Sequence, residues 1–320
     1  MRTGFTPSRI ARTARWIFQR RDGQLLGRAT GFSSSGPHGV VAVGRHEFWA
    51  GDGDTGTVKV VDVRTHKVIA SVLTERGKAT DELTYDPRDR LVAVVSKHDG
   101  PPILNFISTR TRRLVGRVTL THATDGAEQS VWVPSTGLIY LSLPVLDNVD
   151  AHGAIAVINP HTFALVKQIP IEKCEPAGLA LGPHDDLLVG CSDDAVVAGF
   201  PAESLIIGAS SGAIVAHLPK IGGSDEVWSD TASGRYYLAA VANPGGPVLG
   251  VVDSRNRVWM ANVPTAQARI RWQPMPPPAR SSFRSLRARR TLHAQRGALR
   301  CTRRTESHIT REDRSRGSSN

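Results

Sequence analysis

Residues 58–72 read VKVVDVRTHKVIASV. Two runs rich in β-branched residues flank a polar stretch, Asp62 to Lys67, that is too short to hold a helix. The pattern predicts two antiparallel strands joined by a tight hairpin. The same phrase returns along the chain as FQRRDGQLLGRA (18–29), ISTRTRRLVGRV (107–118), INPHTFALVKQI (158–169), IGASSGAIVAHL (207–218) and VDSRNRVWMANV (252–263). The equivalent positions Gln19, Asp62, Ser108, Asn159, Gly208 and Asp253 follow one another at 43, 46, 51, 49 and 45 residues. That period suits a unit of four short strands, the repeat of a propeller blade.

A second strand-turn-strand motif precedes each phrase. It reads DELTYDPRDRLVAVVS from Asp81, EQSVWVPSTGLIYLSL from Glu128, AGLALGPHDDLLVGCS from Ala177 and DEVWSDTASGRYYLAAV from Asp225. Pro87, Pro134 and Pro183 open the turns, where a fixed φ is an advantage and a missing N–H costs nothing. No amphipathic helix separates the strands, which excludes a βαβ scheme. The expected fold class is an all-β propeller of four-stranded blades. Five full units span about 38–73, 81–120, 127–170, 176–218 and 225–263, with a half unit at 16–30. No strand partner for the half unit is readable after Pro264, so the expectation is an open arc of a larger ring.

The net charge of +11 has an uneven origin. Residues 1–15 carry four Arg and no acid, and residues 266–320 carry 14 Arg against three acids. The 22 basic and 26 acidic residues between them leave the repeat body mildly acidic, at −4. The expected organisation is an Arg-rich N-terminus (1–15), a propeller (16–265) and an Arg/Pro/Ser-rich tail (266–320), with both ends disordered. Nucleic acid is therefore not the expected partner of the body. The tail has only Trp272 and Phe283 as aromatics to stack on bases. No apolar run approaches the roughly 18 residues of a membrane-spanning helix.

Blade equivalence brings one set of residues to a common place. His38, Asp81, Glu82, Glu128, Gln129, Glu175, Asp225 and Glu226 each sit just before or at the start of a unit. They are expected around one mouth of the central channel. His38, Glu82, Glu128 and Glu226 form a candidate ligand set for a divalent cation, with hard carboxylate oxygens and one imidazole. The alternative is a solvated acidic rim. Cys174 and Cys191 flank the first two strands of one unit and are expected either as a disulfide or as two thiols. Two other motifs are read as turns. Gly208-Ala209-Ser210-Ser211-Gly212 fits G-x-S-x-G but lies in a hairpin. Gly51-Asp52-Gly53-Asp54-Thr55-Gly56 fits G-x-G-x-x-G but is followed by a strand rather than a helix.

The phrases VKVVDVRTHKVIASV, ELTYDPRDRLVAVVS and AVINPHTFALVKQI resemble the YVTN-repeat β-propeller family, which is grouped with quinoprotein-dehydrogenase-like and SMP-30-like propellers. The resemblance covers residues 16–265 and implies a seven-bladed ring. It also implies a periplasmic or secreted setting, although residues 1–15 show no apolar stretch of a signal peptide. The function expected is a non-enzymatic binding or scaffold role, with a protein or small-molecule ligand at the propeller face. Two alternatives follow from the resemblance. One is a metal-dependent lactonase-like hydrolase using the channel-mouth carboxylates. The other is an accessory propeller of a quinoprotein or cytochrome system. No catalytic residue is assigned.

Overall fold

A computed structural model describes residues 16–19, 25–34, 36–53, 55–74, 79–97, 100–265, 272–274 and 298–300. A half blade comes first, with β1 (Trp16–Gln19) antiparallel to β2 (Leu25–Ala29). The first full blade is β3 (Val40–Val43), β4 (Glu47–Gly51), β5 (Thr57–Asp62) and β6 (Val68–Leu73). The second is β7 (Ala79–Asp86), β8 (Leu91–Lys97), β9 (Ile103–Ser108) and β10 (Arg113–Thr119). The third is β11 (Ser130–Val133), β12 (Leu138–Leu143), β13 (His152–Asn159) and β14 (Ala164–Glu172). The fourth is β15 (Pro176–Leu181), β16 (Asp186–Cys191), β17 (Ser204–Gly208) and β18 (Ile214–Leu218), with the short helix α1 (Asp193–Val197) after β16. The fifth is β19 (Ser224–Asp230), β20 (Arg235–Ala240), β21 (Val248–Asp253) and β22 (Val258–Pro264). Each full blade is a four-stranded antiparallel meander in sequence order, so the chain is an all-β propeller of four-stranded blades.

The hairpin quoted first shows how the repeat builds itself. Asp62 turns its carboxylate back to accept the N–H groups of Arg64 and Thr65 at 3.0 and 2.8 Å, and the Thr65 hydroxyl at 3.0 Å. His66 then takes φ 59°, and the register shifts by a bulge between Val60 and Val61. Asn159 and Asp253 accept the equivalent pairs of N–H groups, from His161 and Thr162 and from Arg255 and Asn256. Arg112, Phe163, Gly212 and Arg257 take the same left-handed conformation as His66. A turn of this kind followed by a bulge preserves the right-handed twist of the flanking strands.

The left-handed residue also fastens neighbouring blades. Arg112 of the second blade donates to Glu47 of the first at 2.7 Å. Phe163 of the third packs its ring against Phe106 of the second, with centroids 5.0 Å apart. Arg257 of the fifth grips Asp186 of the fourth through two hydrogen bonds of 2.6 and 3.1 Å. The hydrophobic core is likewise divided into seams between adjacent blades. One joins Phe106 to Leu141 and Ile158, another Tyr140 to Val189 and Ile207, and another Tyr236 to Leu188 and Ile206. The buried Trp49, Tyr140 and Tyr236 lie in such seams, as their strand positions predict.

The closure differs from the open arc expected from sequence. β23 (Trp272–Pro274) pairs with β24 (Ala298–Arg300). The innermost strands lie side by side in the order β3, β7, β11, β15, β19, β23 and back to β3, while β24 lies beside β1. Two short strands from the tail thus lie beside the half blade in the sixth position, as a separate two-stranded sheet, where a seven-bladed ring was expected. The physical reason is that an open arc leaves the apolar faces of its first and last blades without the seam that neighbouring blades share. Residues 1–15, and the tail apart from these two strands, lie outside the described residues.

Candidate functional site

Counted back from the first hairpin of each blade, Gly39, Glu82, Gln129, Gly178 and Glu226 are equivalent. Bulges open the inner strands here, between Thr80 and Leu83, Pro176 and Gly178, and Ser224 and Glu226. A bulge leaves backbone groups outside the ladder and re-aims side chains. Gln129 occupies the space so created. Its carbonyl accepts the N–H groups of Leu179 at 2.9 Å and Val227 at 3.1 Å, and its amide donates to Glu226 at 2.6 Å. Its own N–H donates to the Ala177 carbonyl. One side chain therefore ties the inner strands of the third, fourth and fifth blades.

Gly178 makes that crossing possible. A β-carbon there would stand 2.7 Å from a Val227 methyl, so the two inner strands approach closely only because the side chain is missing. Gly39 plays the same part at the first blade. A β-carbon on it would lie 2.7 Å from both the Asp81 carbonyl oxygen and the Glu82 Cα. Beside it, His38 Nδ1 lies 3.1 Å from the Asp81 carboxylate, which is buried.

The four residues of the candidate ligand set are thus placed in two groups. His38 is engaged with Asp81, and Glu82 lies against the adjacent Gly39. Glu226 is engaged with Gln129 on the other side of the mouth. Glu128 is half-buried, and its N–H donates to the Ser142 carbonyl. Among the described residues, no group of three or more His, Cys, Asp or Glu side chains is gathered closely enough to hold a metal ion. The hairpin holding Gly208 and Gly212 and the turn holding Gly51 and Gly56 both join two strands. In the latter, buried Asp52 accepts the Ser33 N–H at 2.7 Å and faces Lys59 at 3.6 Å. Asp54 lies outside the described residues.

Cys174 and Cys191 are joined by a disulfide with Cα atoms 4.5 Å apart. It ties the connection that enters β15 to the end of β16. Lys173 and Glu175 flank Cys174 with φ of 54° and 43°, a left-handed backbone that costs free energy in residues with a Cβ. The Ser192 N–H donates to both the Cys174 and Glu175 carbonyls, and its hydroxyl lies 3.4 Å from the Glu175 carboxylate. Burial pushes the Glu175 carboxyl above the ordinary carboxylate range; the Ser192 hydrogen bond opposes this, and Asp194, Asp150 and Asp125 add to it. Sequence equivalence brought Glu175 to the mouth but carried no sign that it is buried.

No family model matches the chain, and no curated protein does. Solved structures do match. Hydrazine synthase of Kuenenia stuttgartiensis is 14% identical over 79% of this chain and 81% of that chain, with a TM-score of 0.64. The WD40 β-propeller domain of Doa1 is 11% identical over 77% of this chain and 74% of that chain, with a TM-score of 0.55. At these identities the likeness is one of fold, and what it establishes for this chain is the β-propeller.

Proposed function

We propose that the chain is a non-enzymatic binding propeller of the YVTN-repeat type, offering its faces to a protein or small-molecule ligand. The observation that supports this is Gln129. At the channel mouth Gln129 holds Glu226 and two strand N–H groups, and His38 pairs with Asp81. A catalytic centre needs groups directed at a common vacant point, whereas these bonds hold inner strands in place. A rigid frame carrying variable loops is the usual basis of a binding surface.

The test sets this reading against metal-dependent hydrolysis. Metal content and lactone turnover are measured for the purified full chain and for Glu82→Gln and Glu226→Gln. The binding reading expects no stoichiometric divalent metal and no turnover above background in any of the three. A stoichiometric metal lost together with turnover in both variants would replace it with the hydrolase.

A further inference from the structure

In each full blade the first and third hairpins share one end of the propeller. Val63 N–H donates to the His46 carbonyl at 2.8 Å and Thr109 N–H to the Arg90 carbonyl at 2.9 Å, and Ala209 and Ser254 repeat the bond at the fourth and fifth blades. On the first two blades these hairpins carry Arg45, Arg64, Lys67, Arg90, Arg110 and Arg113, all exposed. The four carboxylates of the same hairpins are at least partly covered; Asp89 is half-buried beside Asp86, and Asp62 also lies 3.9 Å from Arg64. Asp62 and Asp86 accept backbone N–H groups of their own turns, and Glu47 holds Arg112. No exposed Asp or Glu lies on these four hairpins.

The cations are spread in two dimensions. Two hairpins lie toward the axis and two toward the rim, on two adjacent blades. None of the large exposed apolar side chains falls on their tips; Ile69, Leu73 and Val115 belong to the outer strands. The opposite end has the other sign. Asp125, Asp150 and Asp194 are exposed there, near enough to Glu175 to act on its carboxyl.

We propose that the basic end of the first two blades docks the propeller to an anionic lipid surface, tilted onto those two blades so that the fifth stands off it, by charge and without insertion. A planar array of cations at one end matches a planar array of headgroups better than it matches a rod-like polyanion. Acids at the far end are repelled by the same surface, which selects one orientation. Each basic side chain held near an anionic leaflet strengthens binding about fivefold. The attraction decays over about 8 Å at physiological ionic strength.

The test is co-sedimentation of the full chain with phosphatidylcholine vesicles, with and without phosphatidylglycerol, across a salt series. Two double variants remove equal charge. Arg110→Gln with Arg113→Gln lies within the array, and Arg235→Gln with Arg255→Gln lies at the same end of the fifth blade. Circular dichroism checks that both remain folded. The expected result is salt-sensitive binding to the phosphatidylglycerol vesicles alone, weakened about twenty-five-fold by the first pair and little by the second. Equal loss in both pairs overturns the proposal, as does unchanged binding, which leaves the Arg-rich termini as its source. So does finding that the first pair abolishes binding to duplex DNA, or self-association, while vesicle binding is absent.

Discussion

Gln129 and Glu226 are separated by 97 residues in sequence and by 2.6 Å in space. The bond spans the inner strand of the intervening blade, where Gly178 lets that strand lie close against Val227. Replacing Gln129 by Leu removes this bond and those to the N–H groups of Leu179 and Val227. At about 1 kcal/mol for each lost partner, the expected destabilisation is about 3 kcal/mol. Urea unfolding measures it directly. A midpoint equal to that of the parent chain would mean that the lock contributes nothing.

The disulfide is expected to stabilise the chain mainly by constraining its unfolded state. The sequence separation of 17 residues between Cys174 and Cys191 closes a loop worth about 3 kcal/mol in the chain-entropy account. Converting both to Ser should lower stability by about that amount, and dithiothreitol should move the parent chain by the same amount while leaving the double variant unchanged. A reductant effect of equal size in the double variant would place its action elsewhere.

Glu175 makes stability depend on pH in a stated direction. Its carboxyl is pushed above the ordinary value of 4.5, chiefly by burial. A group that holds its proton more tightly folded than unfolded favours the folded state in acid. That advantage is lost as pH rises from 4.5 through the raised folded value. Glu175→Gln keeps a neutral partner for Ser192 and should therefore raise the melting temperature at neutral pH, with the gain shrinking toward acid. A gain that is the same at every pH would remove the carboxyl as its cause.

Ring closure is testable by truncation. A chain ending at Thr265 lacks β23 and β24, which leaves the inner strands β3 and β19 without that neighbour. Its thermal transition should fall below that of the full chain and become broader. An identical transition would show that the five full blades hold themselves.

The repeat was legible because its chemistry is local. An Asp or Asn that binds the next N–H groups, a left-handed residue and a bulge all act within about five residues, so VKVVDVRTHKVIASV predicts its own hairpin. Alternating β-branched residues predict the strands around it, and the period of the phrase predicts the blade. That Glu82, Gln129 and Glu226 stand at or beside the start of an inner strand was legible in the same way, by counting from turn to turn.

The use of those residues was not legible. Equivalence gathers Glu82, Glu128 and Glu226 at one mouth, but a contact depends on side-chain direction, on bulges and on the gap left by Gly178. The left-handed residues also read the same in sequence, yet Arg112 and Arg257 fasten blades with charge while Phe163 does so by packing. Closure through Trp272–Pro274 was hidden because three-residue strands in Arg-rich surroundings carry no period. The sequence by itself determined the hairpin and the four-stranded blade, since these rest on short-range backbone chemistry. Tertiary structure alone decided which blades touch, that Gln129 spans three of them and how the ring closes, since these depend on distances between residues far apart in the chain.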